Sequence, residues 1–261
     1  IGVNQAYSFK CFCNHHDTEL FKPIESGNVD YNEYNSNLLF TIRTVYNEIW
    51  RKDVNIRLYD YLKKNHSDKF APYLLSDTRR QESLGKQDLE VIANDIWNDL
   101  SNGTENFVFF NRLLTRQDIC MSSFYNYEET IELHEYIKKH GIDMPRVSDV
   151  YVNFFPRKDS SVLLMGYNKK DEKKLKSYLA QFFNESEKRV LRKISNLILF
   201  RCETYVVSEQ FFKEKIKPVD SLFGKAMLYS TKTLKERKEF DINIFRNNFQ
   251  SKFREWNKNV G

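Results

Sequence analysis

The stretch 149–167, DVYVNFFPRKDSSVLLMGY, constrains the fold more than any other part of the chain. Val150, Val152 and Phe154 alternate with Tyr151, Asn153 and Phe155, and the polar PRKDS turn leads into a second apolar run. Two runs of this kind joined by a short polar turn make an antiparallel β-hairpin. Asn106–Leu114 and Asp118–Tyr125 add two further strands, because aromatic and β-branched residues recur in both at close spacing.

Helical periodicity surrounds these strands. Leu38, Ile42, Val45, Tyr46 and Ile49 predict an amphipathic helix from Asn37 to about Lys64. Leu89, Ile92, Ala93, Ile96, Trp97 and Leu100 predict a second, ended by Ser101-Asn102-Gly103. Between them Phe70–Arg80, with its Pro and Ser-Asp pair, reads as a connection. A short helix is expected over Glu128–Lys139, two more over about Asp171–Phe183 and Ser186–Phe200, and another from an N-cap at Ser208 to Ile216. Phe245, Phe249, Phe253 and Trp256 form an apolar stripe on a basic C-terminal helix, a spacing that suits ordinary core packing and leaves base stacking as the alternative. Residues 1–35 lack periodicity and read as loop with short elements. The expected architecture is α+β: an antiparallel sheet of about four strands flanked by several amphipathic helices, with an N-terminal zinc-knuckle segment. Residues 1–35 form that segment, and residues 36–261 a body with basic C-terminal helices.

Charge and cysteine usage bound the function. The net charge is +5, and residues 210–261 carry 12 Lys/Arg against 6 Asp/Glu, so the basic excess sits at the C-terminal end. Such a region suits nucleic acid or an acidic protein partner, and solvated helix faces share the pattern. No apolar run approaches the ~18 residues of a membrane span, so no membrane association is expected. Four cysteines in 261 residues are too sparse for a disulfide framework, which points to a reducing, cytoplasmic setting. The chain opens at Ile1 without Met or a signal peptide, and further sequence is expected before it.

Several catalytic motifs are missing: a phosphate-binding G-x-x-x-x-G-K-[ST] loop, a G-x-S-x-G elbow and an H-E-x-x-H helix. His134 and His140 are six residues apart, a spacing that puts them on different sides of a helix. Pro218-Val219-Asp220 with Glu236-Arg237-Lys238 imitates a PD…ExK nuclease, but LKERKEF reads as a solvated helix rather than the buried strand that chemistry uses. What stands out is KCFCNHHDTELFKPIE, residues 10–25, which holds two of the four cysteines and two of the five histidines within six positions. Cys11, Cys13 and His16 offer sulfur and nitrogen donors of the kind structural zinc takes, with His15 and Asp17 beside them. A knuckle of this size cannot close a tetrahedral site alone. Cys120, in a predicted strand, and Cys202, at a helix end, read as core residues, so the other ligands are expected before Ile1, in another subunit, or among Cys11, His15 and Asp17. Asp17 is also a natural helix cap, and His15 a natural solvent-facing loop residue.

The run from Phe12 through Glu25 resembles the F-C-x-x-H-D-x-x-[LI]-F-x-P-[IL]-E signature of a group of mostly uncharacterised bacterial proteins. In that group a C-x-x-C and a Ser-His pair precede the signature, and together they are similar to a treble-clef, HNH-type zinc module. The likeness extends loosely to Arg43 and Glu48, to NFFPRKDSSVLLMGY, and to RCETYVVSEQFF, where Thr204 and Glu209 depart from the group's E-N-x-x-x-S-P segment. The resemblance implies that Cys13 and His16 bind structural zinc. It implies that the upstream pairs, including the histidine that acts as general base, lie outside this sequence. It implies that Asp17 or His15 approaches a catalytic Mg2+ or Mn2+ in an endonuclease of bacterial defence or mobile elements. The competing expectation is a non-catalytic module in which zinc staples the N-terminal segment to a body that binds protein or nucleic acid. Arg43 and Glu48, five residues apart, are expected in salt bridges to neighbouring elements, and Glu203 is expected to accept backbone hydrogen bonds at a helix end.

Overall fold

A computed structural model of the chain describes residues 12–25, 27, 29–127, 148–202, 204–230 and 242–246. The helix expected over Glu128–Lys139, the pair His134 and His140, Glu203, and the candidates Cys11, Glu236 and Lys238 lie outside the described residues, as do Phe249, Phe253 and Trp256. The class is α+β, and the chain divides into two compact units, residues 1–106 and 107–261.

The first unit is helical. Helix α1 spans Asn14–Glu25, α2 Tyr34–Asn65 and α3 Pro72–Asn102. Two expectations are corrected here. Residues 14–25, expected as loop with short elements, form a 12-residue helix, and 72–80 open a helix rather than forming a connection. Pro72 is tolerated because its missing N–H falls in the first turn, where no intrahelical acceptor is lost.

α2 and α3, of 32 and 31 residues, pair as a hairpin about 48 Å long at 1.5 Å per residue. Its inner half is apolar, with Leu38, Leu39, Ile42 and Val45 of α2 and Leu89, Ile92 and Ile96 of α3 buried. In its outer half the polar partners step down one helix as they step up the other: Lys52 to Glu82 at 2.9 Å, Lys86 to Asp53 at 2.7 Å, Arg79 to Asp60 at 2.5 Å and Lys63 to Ser76 Oγ at 3.0 Å. Gly103 ends α3 in the left-handed conformation, φ 65°, with its N–H on the Asp99 carbonyl at 2.9 Å. The buried Asp99 carboxylate locks that turn. It accepts from Tyr34 Oη at 2.5 Å, Thr104 Oγ1 at 2.5 Å, and the Asn106 N–H and Nδ2 at 2.7 and 2.6 Å. Burial alone would raise its pKa, but these donors outweigh it and hold the carboxyl below its ordinary value.

The second unit is built on a sheet. Strands β1 (Phe107–Thr115), β2 (Ile119–Asn126), β3 (Asp149–Pro156), β4 (Ser160–Asn168) and β5 (Tyr205–Val207) are ordered β1-β4-β3-β2-β5, with antiparallel neighbours throughout. Five strands thus replace the expected four, the addition being the three-residue β5. The expected hairpin lies at the centre, and β1 and β2 pair with its two outer edges. Residues 116–118 therefore cross the hairpin's turn, and are pinned as they do. Arg116 Nη1 donates to the carbonyls of Arg157 at 2.6 Å and Lys158 at 2.8 Å, and the Gln117 N–H donates to Ser161 Oγ at 2.8 Å.

Helices α4 (Glu172–Asn184) and α5 (Glu187–Phe200) share one core with the sheet. Val152, Phe154, Leu163, Met165 and Tyr167 enter it from β3 and β4, and Leu175, Leu179, Phe182, Ile194 and Ile198 from the helices. Arg112 of β1 donates to the Phe182, Phe183 and Glu185 carbonyls at 3.1, 3.2 and 2.7 Å, satisfying acceptors that the end of α4 leaves open. On the alternate positions Tyr151, Val162 and Leu164 are buried as well. There Phe109 of β1 lies opposite Gly166 of β4, and a Cβ on that glycine would sit 2.4 Å from the ring, so the position admits no side chain.

Ser208 caps the next helical stretch as expected, accepting the Phe211 N–H at 3.1 Å. That stretch runs on through a π-helical segment, Phe212–Ile216, and a 3-10 turn, Lys217–Val219, into α6, Asp220–Ser230. Phe245 is core, packed edge-on against Phe154 with centroids 6.2 Å apart. Among the described residues no helix is long and apolar enough to cross a membrane.

Candidate metal centre

Helix α1 starts at Asn14, so Cys13 stands at its threshold, and the Cys13 carbonyl accepts the Asp17 N–H at 2.9 Å. A spacing of three residues brings side chains onto one side of a turn. Cys13 Sγ lies 3.1 Å from His16 Nδ1, and both residues are exposed. The His15 ring is 5.5 Å from that of His16.

Several other signature residues have a packing role. Phe21 and Ile24 are buried. Phe12 packs edge-on against Phe21 at 5.5 Å and against Tyr46 of α2 at 4.8 Å. Arg43 of α2 reaches α1 through Glu25 Oε1 at 2.6 Å and Asp17 Oδ2 at 3.8 Å, with its guanidinium 4.5 Å from the centroid of the Phe21 ring. Apolar contact, cation–π attraction and two carboxylates thus dock α1 on α2 around one cation. Asp17, a natural helix cap by sequence, lies instead within the first turn of the helix, which begins at Asn14.

Among the predicted site residues, the structure brings Cys13 and His16 together, sets His15 beside them, and places Asp17 next to Arg43. Arg43 and Glu48 do not share a site. Glu48 pairs with Arg51 at 2.9 Å on its own helix. Glu25 is the participant whose role was missed, because its partner Arg43 lies 18 residues away on another helix. Cys202 is buried, as expected of a core residue, whereas Cys120 is exposed on β2 opposite Val206. Asp220 of the PD…ExK pattern is exposed at the start of α6 and accepts the Ser221 N–H at 2.7 Å.

The donors fit a soft or borderline cation. With Zn–S of about 2.3 Å and Zn–N of about 2.0 Å, two tetrahedral ligands stand about 3.5 Å apart, about 0.4 Å more than the present 3.1 Å. A rotamer adjustment at an exposed thiol covers that difference. Two donors do not close a zinc site, and among the described residues no group of three or more His, Cys, Asp or Glu is placed to hold a metal. Comparisons of the chain with protein-family models, with curated proteins and with solved structures find no match.

Proposed function

We propose that α1 carries half of a structural zinc site, with Cys13 and His16 as ligands and Cys11 as a candidate third, in an HNH-type nuclease. One observation carries this reading: the Cys13–His16 pair, 3.1 Å apart and exposed, at the start of a helix that Phe12, Phe21 and Glu25 dock to α2. Packing accounts for Phe12, Phe21 and Ile24, and Glu25 is taken by Arg43, whereas the thiol and the imidazole are exposed and face each other. The remaining donors come from residues outside those described or from a second chain. Zinc held there contributes folding energy by fixing the start of α1.

In the nuclease reading Asp17 or His15 would supply a donor to a divalent Mg2+ or Mn2+, which when bound would polarise the phosphate and acidify water. Arg43 bears directly on Asp17. Glu25 holds the guanidinium at 2.6 Å against 3.8 Å for Asp17, so the closer contact of Arg43 is with Glu25. The basic C-terminal region would grip phosphates, in line with a role in bacterial defence.

Elemental analysis of the purified full-length protein tests the zinc claim. About one zinc per chain, lost in both Cys13→Ser and His16→Ala, supports it. Absence of zinc, or zinc retained by both variants, overturns it. Plasmid cleavage with Mg2+ or Mn2+, abolished in Asp17→Ala with zinc content intact, supports the nuclease. A zinc-loaded wild type that leaves the plasmid whole favours the alternative, a zinc-stapled module that binds a protein or nucleic-acid partner.

A further inference from the structure

We propose that the outer end of the α2–α3 hairpin, residues 57–80, is a binding surface for single-stranded nucleic acid. Three aromatic side chains are presented there with large exposure: Tyr73 at 78%, Tyr61 at 56% and Phe70 at 43%. The His66 ring sits 5.7 Å from that of Tyr61. Exposed rings at one end of a soluble hairpin are costly to keep wet, and stacking on bases is a use that suits several of them together.

Charge selects among occupants. Between residues 61 and 76 there are three lysines, Lys63, Lys64 and Lys69, against the single acid Asp68. The neighbouring acids are already engaged, Asp60 in a two-pronged contact with Arg79 at 2.5 and 3.1 Å and Asp77 with Arg80 at 3.1 Å. Protein–protein interfaces are enriched in aromatics but depleted in lysine, so lysines interleaved with rings match a polyanion better than a second protein. Paired bases in a duplex offer no open face to a side-chain ring, which makes the strand a single one. The ion pairs along the outer half, together with the buried Leu75, hold the two helices to each other. The rings therefore stand on a pre-shaped scaffold, which lowers the ordering cost of binding.

The surface shares no residue with the Cys13–His16 pair, so loss of zinc in Cys13→Ser and loss of strand binding in hairpin variants are separable results. Fluorescence anisotropy with a labelled 20-mer of oligo-dT, and with an oligo-U of the same length, measures the affinity of the full-length protein. Tyr73→Ala and Tyr61→Ala are each expected to weaken binding about 5- to 150-fold, the range that base–aromatic stacking carries. Changing Lys63, Lys64 and Lys69 to Gln together should flatten the dependence of log K on log salt by about 2, at roughly 0.7 per phosphate contact. All these side chains are exposed, so unchanged circular dichroism melts will show that the variants fold. Oligonucleotides that do not bind, or that bind every variant as they bind the wild type, overturn the proposal. So does a concentration-dependent dimer that Tyr73→Ala abolishes while oligonucleotide binding is unaffected, since that outcome assigns the surface to a second copy of the chain.

Discussion

The sheet unit and the outer half of the α2–α3 hairpin hold their shapes by different means. In the sheet unit, alternate residues of β3 and β4 are buried on both faces, and even a glycine, Gly166, is required by the ring beside it. In the outer hairpin few apolar side chains are buried, and the helices are joined by ion pairs between half-exposed groups. Apolar burial contributes about 25 cal/mol per Å2, whereas exposed ion pairs contribute at most about 1 kcal/mol each. The first region is therefore the stable body. The second lies near the low end of the local-stability range, where binding surfaces are commonly found.

The contrast is broken most severely from the sheet side. Phe154→Ala removes a fully buried ring between β3 and the helices and is expected to cost about 3–5 kcal/mol in urea unfolding. A loss below about 1 kcal/mol would mean that the sheet core is not where the stability lies. Next comes the joint at the inner end of the hairpin. Asp99→Ala strands the donors of Tyr34, Thr104 and Asn106 and should cost about 1.5–3 kcal/mol. Because the folded-state pKa of Asp99 is depressed, its contribution is complete above the unfolded value of about 3.9. It is lost as pH falls through the lower, folded value. The acid limb of stability below about pH 4 should accordingly be shallower in the variant than in the wild type.

Smaller effects are expected further out. Lys86→Gln deletes the contact with Asp53 and should cost about 0.5 kcal/mol, less in 0.5 M salt. The hydrogen bond to Asp53 raises the Lys86 pKa, so this contribution is present below the unfolded lysine value near 10.4 and is lost as pH rises through the folded one. Gly85→Ala is the mildest change. The new methyl would meet the flexible Lys52 stem at 3.0 Å, and the gain in helix propensity of about 1 kcal/mol offsets that shift. Thermal melts should place it within about 0.5 kcal/mol of the wild type, and a large loss would show that the outer hairpin is packed more tightly than its exposure implies.

The β3–β4 hairpin was legible because alternation over 150–155 and a polar turn are local signals. The long helices were legible where apolar periodicity was strong, and α3 was cut short because Pro72 and Ser76-Asp77 resemble a turn when they in fact begin a helix. Helix α1 was hidden by its polar composition and by Pro23 within it. β5 was hidden by its length of three residues, too short for a pattern. At the candidate site the Cys13–His16 spacing was readable, being one turn of helix. The link from Arg43 to Asp17 and Glu25 was not, because it joins positions 18 or more residues apart through a packing that only the folded unit provides.

Residues 116–118 carry a consequence for how this chain tolerates change and how it assembles. Crossing from β1 to β2 over two intervening strands covers about 14 Å of sheet, and the four residue steps from Thr115 to Ile119 span about 14 Å at full stretch. Deletion of any one residue of Arg116-Gln117-Asp118 leaves about 11 Å of reach, too little for both strands to keep their registers, while insertions have room above the turn. The same tether orders events in time. β1 and β2 leave the ribosome first, yet neither can pair until β3 and β4 have been synthesised and slotted between them. The sheet thus closes around its last-made hairpin, a non-local step of the kind that makes folding slow.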